Sequence, residues 1–599
     1  MTTREFCKSE LNKYVKKITG ETGAIELYCA DGADLFEERY VINVTGGKGS
    51  ITASRPRALL LGVYDFLRRV GCGFLRPGDK GERIPRKPLG KLTAHAEVVP
   101  SARHRGITIE GSVSLENVLA IVDWAPKVGF NSYFIQFRTA FEFFDRWYGK
   151  RGEKFTEEKS AEFVRRIISE IKLRDMVYHA VGHGWTTACI GVQANGWKGA
   201  ELALPDDKKG LLAETGGSRK FFNGIPLNTH LCYSNPEARK LMAEEVANYA
   251  QAHPEIDVLH FWLADDSNNV CECAECRKKR ISDWYVMMLN EIDSLLSERN
   301  LSVKICFLVY LDLYWVPKSE SIKNPDRFIM MFAPIFRTYT TPYSDVCNGK
   351  PLEYEYNKVK YPNDASTYLR FLRDWKNIFA GECFDFDYHL MWDINRDFGG
   401  ERLAQVLFED IRALEKLGMQ GYMSCQLQRA FYPNGLAFYL MGRALADSEL
   451  SFDAIRNEYY EGAFGGAAEY ASDFYKMLER TVSFKFMKEE ESGDAALPGF
   501  YEAQKQIEKE LARMPEPDDE ICAESLAILR FAAENTLNIV NVLVLQLTGA
   551  DENSVKKADE KRKKFFNDGE LRFQPYVDDF YQNMIVDGII AAKKVGIYA

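Results

Sequence analysis

Residues 236–310 read PEARKLMAEEVANYAQAHPEIDVLHFWLADDSNNVCECAECRKKRISDWYVMMLNEIDSLLSERNLSVKICFLVY. A helical period covers 236–252, and the short apolar run 258–263 reads as a buried strand. A second helical period covers 281–298, and a second buried strand follows at 303–310. Strand, helix, strand in that order is the unit from which parallel sheets are built. The same alternation continues on both sides. Further strands are expected at 105–110, 132–137, 176–181, 328–333, 383–388 and 421–425, with helices at 114–128, 157–172, 365–378 and 401–416. Eight strands alternating with helices predict an α/β fold whose centre is a (β/α)₈ TIM barrel over residues 101–440. A doubly wound sheet is the alternative, but no GxGxxG or Walker sequence follows the first strand.

The flanks have a different character. Residues 1–100 read as a small α/β domain. An amphipathic helix carries Leu11, Tyr14, Val15 and Ile18, strands are expected at 25–30, 40–45 and 50–53, and a helix opens with Pro56. Gly46-Gly47 marks a hairpin between two of those strands. The Pro- and Gly-rich stretch Pro77 to Lys91 suits a linker. From residue 441 to 599 strand signals vanish and helices are expected at 451–483, 498–513, 520–548, 554–566 and 575–593. This helical C-terminal domain would pack on the barrel and offers a surface for a homo-oligomer. The run Lys556 to Lys564 reads as a solvated helix face.

Composition narrows the partners. Of 599 residues, 46% are hydrophobic and 27% charged, which is ordinary for a globular chain. The 77 Lys and Arg against 87 Asp and Glu leave a net charge of -10, which argues against a nucleic-acid binder. Neutral carbohydrates remain open, and an aromatic content of 13% suits sugar platforms as well as a large core. The longest apolar run, near Ile539–Leu547, is interrupted by Asn541 and Gln546, so no membrane partner is expected. The N-terminus lacks a long apolar signal-like run, and the 13 cysteines are spread thinly, so a cytoplasmic chain with reduced thiols is expected.

A TIM barrel places its chemistry at the C-terminal ends of its strands. That rule nominates Glu110, His183, Trp185, Asp265, Asp266, Tyr310, Asp312, Asp385, Asp387, His389, Trp392 and Arg429. Carboxylates supply acids, bases or nucleophiles, and the tryptophans can stack on sugar rings. Asp265-Asp266 is the sharpest feature. Neighbouring residues on a strand point to opposite faces, so both serve one site only if the strand has ended there. Two close carboxylates repel, which can raise one pKa and leave a general acid beside a charged partner. For a 2-acetamido sugar, that partner can orient the acetamide, whose oxygen then attacks the anomeric carbon without an enzyme nucleophile. The bland reading of the pair is a turn or helix cap. An ordinary two-carboxylate glycosidase would instead draw its second acid from Glu110, Asp312, Asp385 or Asp387.

Cys271, Cys273 and Cys276 follow this pair directly and offer three soft metal ligands. A structural zinc needs a fourth, for which Cys232 or His260 is available, and packed free thiols are the alternative. No cofactor is expected for catalysis.

The run from His260 to Cys276, HFWLADDSNNVCECAEC, followed by Ser282-Asp283-Trp284, resembles the family known as domain of unknown function 4838, which overlaps glycoside hydrolase family 163. Leu231 to Pro236 (LCYSNP) and Gly435 to Asp447 (GLAFYLMGRALAD) agree with it. The segment Gly62 to Phe74 (GVYDFLRRVGCGF) is similar to the small domain preceding the barrel in hexosaminidases and α-glucuronidases. The resemblance spans most of residues 1–480. It implies a glycosidase barrel acting on N-acetylglucosamine-containing oligosaccharides, with Asp265 orienting the acetamide and Asp266 as general acid/base. Hexosaminidases of family 20 typically carry Asp-Glu at this point, where this chain carries Asp-Asp. Within that reading His183, Tyr310, Asp387 and Trp392 bind sugar. An inverting α-glucuronidase-like enzyme and a non-catalytic carbohydrate-binding barrel are the alternatives.

Overall fold

The computed structural model describes residues 1–596 except 33, 195, 200–203, 346–348 and 351. Its centre is a closed barrel of eight parallel strands, His104–Thr108, Ser132–Gln136, Val177–Gly182, Val258–Phe261, Lys304–Val309, Phe328–Phe332, Glu382–Asp387 and Gly421–Ser424. They are arranged in chain order, and the last closes on the first with Gly421 opposite His104. A Cβ at Gly421 would stand 2.1 Å from the His104 carbonyl oxygen, so only glycine lets the seam close. The (β/α)₈ reading is thus the observed fold. The helices Pro236–Ala252 and Ile281–Glu298 begin and end where their apolar periods do.

Strand alternation divides each barrel strand between an inward face and a face toward the helices. The barrel interior contains three histidines, His104, His179 and His260. His179 Nδ1 and His260 Nε2 lie 2.9 Å apart, and Phe134 stacks on His260 at 4.0 Å. Burial lowers all three, His179 to about 3, so they are neutral core groups. This corrects the expectation that His260 could serve as a metal ligand beside the cysteines, because its ring is turned into the barrel.

The N-terminal sheet has four strands, in the order Ala24–Cys29, Lys48–Ala53, Tyr40–Thr45, Ala94–Val98. Gly46 and Gly47 take φ of 57° and 73°, as the tight hairpin requires. The edge strand Ala94–Val98 was not foreseen, because it follows a stretch rich in turn residues. That stretch is not a loose linker. Arg83 pairs with Asp519 at 2.6 Å, and Arg76 Nη1 donates to Ser525 Oγ at 2.8 Å, so it is docked on the C-terminal helices. Beneath the barrel, buried Glu38 joins Arg57 of the small domain to Arg105 of the first barrel strand. Burial alone would raise the Glu38 carboxyl, but the two guanidiniums hold it at about 2.

The C-terminal region is helical: Phe452–Phe464, Ala468–Thr481, Gly493–Leu511, Glu520–Leu547, Glu552–Phe573 and Asp579–Gly596 are its main helices. The single helix expected at 451–483 is broken at Gly465, where φ is 53° and Asp518 accepts a hydrogen bond from the Gly466 amide at 2.8 Å. Glu520–Leu547 is, by length and composition, apolar enough to cross a membrane, and 61% of its apolar window is buried inside the molecule. The last helix reaches over the barrel mouth. Its start is fixed by Asp578, which accepts from the Ser112 amide at 2.7 Å, and Glu570 of the preceding helix pairs with Arg429 at 2.8 Å.

Candidate active site

At the C-terminal ends of the strands lies a cavity of about 300 Å³. All eight strands or their immediate extensions line it, through Glu110, Gln136, His183, Trp262 with Asp265, Leu308 with Tyr310, Met331, Phe386 with Tyr388, and Cys425. Arg146 of the short helix Phe141–Tyr148, loop residues Trp197, Ile335, Met391 and Trp392, and Tyr581 and Met584 of the last helix complete the wall. The inward residues follow period two along each strand, as in Phe384, Phe386 and Tyr388. Tyr388 and Trp392 stack at 5.4 Å, and Trp262 meets His183 edge-on at 4.7 Å.

Two carboxylates line the cavity. Asp265 lies beyond the fourth strand, where the Asp265 amide donates to the Leu227 carbonyl and Asn269 Nδ2 donates to the Asp265 carbonyl, so the strand has ended. Its Oδ2 accepts from Trp197 Nε1 at 2.6 Å and its Oδ1 from Tyr310 OH at 3.3 Å. Among the described residues no cation lies within ion-pair distance of Asp265. Burial, with the Asp265 charge beside it, pushes the Tyr310 phenol well up, so it remains a donor. Burial lowers the His183 imidazole, with Asp265 opposing, and its Nδ1 has no hydrogen-bond partner among the described residues.

Glu110 is the second carboxylate. Its Oε1 accepts from Arg146 Nη1 at 2.9 Å, from Tyr581 OH at 3.0 Å and from the Gly111 amide at 3.0 Å. Burial raises its carboxyl even though Arg146 opposes the shift.

Asp266 stands outside the cavity lining. It is exposed, with φ of 66°, and accepts from Asn228 Nδ2 at 3.2 Å and from the Ser267 amide at 2.8 Å. Asp312 is buried nearby and accepts from the Asn268 amide at 3.1 Å and Tyr361 OH at 3.2 Å. Burial pushes its carboxyl up to about 6, and the charge of Asp266 adds to the rise.

Of the nominated residues, the structure brings Glu110, His183, Asp265, Tyr310 and Trp392 together around one cavity. Others lie elsewhere. Asp385 and Asp387 alternate with Phe384 and Phe386, so they face the helices. There Arg337 is paired with both Asp387, at 2.8 Å, and Asp410, and lies 3.2 Å from His389 Nε2. The Asp387–His389–Asp410 cluster therefore already contains a cation, the guanidinium. Burial raises Asp385, with Asp387 adding to the rise, whereas Arg337 holds Asp387 low despite its burial. Trp185 is fully buried and its Nε1 donates to the His260 carbonyl at 2.8 Å. Arg429 is consumed by Glu570 and by main-chain carbonyls of the C-terminal helices, among them Gln574 at 3.2 Å. The expected roles of Asp387, His389, Trp185 and Arg429 as sugar contacts are therefore replaced by structural ones, and Asp385 is buried on the same outward face, away from the cavity.

Sequence reasoning missed Arg146, Trp262, Tyr388 and Tyr581. Trp262 and Tyr388 continue the inward phase of their strands, a phase that the local sequence does not decide. Tyr581 had no local signal, since its partner Glu110 is 471 residues away in the chain.

The family model described as a domain of unknown function, DUF4838, matches residues 212–476, which include Asp265, Asp266 and the four cysteines. No curated protein matches this chain. Among solved structures, CpGH89 from Clostridium perfringens, in complex with its substrate GlcNAc-α-1,4-galactose, aligns with 99% of this chain and 70% of its own length, at 10% identity and a TM-score of 0.53. The Streptomyces plicatus N-acetyl-β-hexosaminidase in complex with Thio-NAglucal covers 79% of this chain and 90% of its own, at 12% identity and a TM-score of 0.45. The first of these likenesses establishes a shared fold.

Proposed function

We propose that this chain is a glycoside hydrolase that cleaves β-linked 2-acetamido sugars by substrate-assisted retention. The observation that carries the reading is Asp265, a carboxylate without a cation partner among the described residues, held in an aromatic cavity by Trp197 and Tyr310. An acetamide placed there donates its N–H to Asp265 and accepts from the Tyr310 phenol. Its carbonyl oxygen is then aimed at the anomeric carbon. As the oxygen attacks, positive charge develops on the acetamide, and the unpaired Asp265 charge stabilises it where water is excluded. Asp266, at the rim, protonates the leaving oxygen and then activates water. Hydrogen bonds of this kind commonly tighten only once substrate is bound.

The remaining wall suits one sugar residue. The cavity lies at the lower end of the roughly 300–1,000 Å³ typical of ligand pockets. Glu110 and Arg146 accept from and donate to ring hydroxyls, and Trp392 on Tyr388 offers a flat face. Trp262 Nε1 and His183 Nδ1 are buried without partners among the described residues, and a bound sugar would supply them. The fold shared with CpGH89, whose substrate is GlcNAc-α-1,4-galactose, supports action on N-acetylglucosamine-type substrates, and the β linkage rests on the resemblance of the Asp265-Asp266 motif to that of hexosaminidases.

Arg146 in the cavity wall favours one second reading, an inverting α-glucuronidase-like enzyme in which it binds a uronate. Its engagement with Glu110 weighs against that. Two measurements separate the readings. Proton NMR of the first-formed product gives the β-anomer for retention. Aryl glycosides bearing a 2-trifluoroacetamido group must react far more slowly than 2-acetamido ones, because the attacking oxygen is less nucleophilic. Equal rates, or an inverted product, would remove substrate assistance.

A further inference from the structure

We propose that Cys232, Cys271, Cys273 and Cys276 bind one zinc ion, and that this ion clamps together the two loops that present Asp266. The four Sγ atoms all lie within 4.8 Å of one another. Cys232 Sγ is 3.7 Å from Cys273 Sγ and 3.8 Å from Cys276 Sγ. A tetrahedron with zinc–sulfur bonds of about 2.3 Å has sulfur–sulfur edges of about 3.8 Å. These separations are the edges of such a tetrahedron and are far longer than a disulfide bond of about 2.05 Å. Cys232, Cys271 and Cys276 are buried and Cys273 is partly exposed, so three of the four sulfurs are shielded from solvent.

The surroundings are those of thiolates. Four N–H groups point at the sulfurs: the Glu214 amide to Cys271 at 3.3 Å, the Ser234 amide to Cys276 at 3.4 Å, the Cys276 amide to Cys273 at 3.4 Å, and Arg219 Nη1 to Cys271 at 3.9 Å. Ser234 Oγ lies 3.2 Å from Cys276 Sγ and is an acceptor within reach of the Cys276 thiol. Four neutral thiols would place their own S–H groups among these donors, with few acceptors to receive them. On binding, the four thiols release their protons and zinc forms four bonds to sulfur. The resulting doubly negative centre is compensated by these N–H groups and by Arg219.

The clamp has a target. Cys232 anchors the loop that carries Asn228, and Asn228 donates to Asp266 at 3.2 Å. Cys271 to Cys276 anchor the loop that begins with Asp265-Asp266, and Asn269 Nδ2 binds the Asn228 carbonyl between the two loops at 2.7 Å. The ion acts on the placement of this loop pair and makes no contact with substrate.

The test needs no turnover, so its outcome is independent of the proposed activity. The full chain is purified under reducing conditions without chelator and its metals are measured by mass spectrometry. One zinc per chain is expected. Zinc is then exchanged for cobalt(II), and the visible spectrum should show the intense bands of tetrahedral cobalt with four thiolates. Cys271→Ser and Cys276→Ser should lose the zinc, and because they could fail to fold, the cobalt spectrum of the unaltered chain stands as the second arm. A folded, reduced chain that contains no zinc and gives no tetrahedral cobalt bands would overturn the proposal, as would stoichiometric iron in its place.

Discussion

Replacing Asp265 by Asn tests how the cavity uses its unpaired charge. The two side chains have the same shape, so packing against Trp197 and Tyr310 is retained. The Asn carbonyl can still accept from Trp197 Nε1, now 2.6 Å from Oδ2, and the Tyr310 hydroxyl can rotate to accept from the new amide. The cost in stability is therefore that of one adjusted hydrogen bond, about 1 kcal/mol. The cost in catalysis is larger. Glu110 is matched by Arg146 at 2.9 Å, so Asp265 is the carboxylate in the cavity wall whose charge is left for the transition state. Losing a preorganised electrostatic partner of this kind costs about 2.7–4 kcal/mol, or roughly 10²- to 10³-fold in kcat. The assay is steady-state hydrolysis of an aryl β-N-acetylglucosaminide, with urea unfolding as the control. The account expects kcat to fall by that factor while KM changes little, because the charge acts mainly after binding. A kcat within tenfold of the unaltered enzyme would refute the reasoning.

Three further outcomes follow. Glu38→Gln should cost about 3–5 kcal/mol at neutral pH by leaving two buried guanidiniums unpaired. Because the Glu38 carboxyl is held at about 2 against an ordinary 4.5, its contribution of about 3 kcal/mol is whole above pH 4.5 and is lost as pH falls toward 2. Paired urea titrations should show the gap between the two proteins narrowing on acidification, and a constant gap would contradict the assignment. Tyr581→Phe removes one donor from Glu110 and should lower kcat/KM by about 10-fold through KM, with no change if the last helix is only a cover. Asp387→Asn should destabilise the chain by about 3–5 kcal/mol while leaving KM unaltered, since its partner is Arg337. A raised KM with intact stability would return Asp387 to the sugar site.

The barrel was readable because each buried strand is a short apolar run bounded by a helical period. Gly435 to Asp447 marks the limit of that rule, since its longer apolar run is the helix Leu436–Ala446 that follows the last strand. Strand phase was the weak point. Asp385 and Asp387 look like active-site acids until Phe384 and Phe386 are seen to own the inward face, and no local feature of the segment EC-FDFD decides that. The Asp265 position was readable because Ser267, Asn268 and Asn269 end the strand at once. The Glu110 environment was not, since Arg146 lies on a short helix after the second strand and Tyr581 at the far end of the chain. Long-range contacts of that kind leave no periodicity in either segment.

The most direct test of the central claim is mass spectrometry of a mixed glycan panel incubated with the unaltered enzyme and with Asp266→Asn. The account predicts fragments released at a 2-acetamido sugar by the unaltered enzyme and almost none by the variant. Release only at other sugars, or equal release by both proteins, would contradict it.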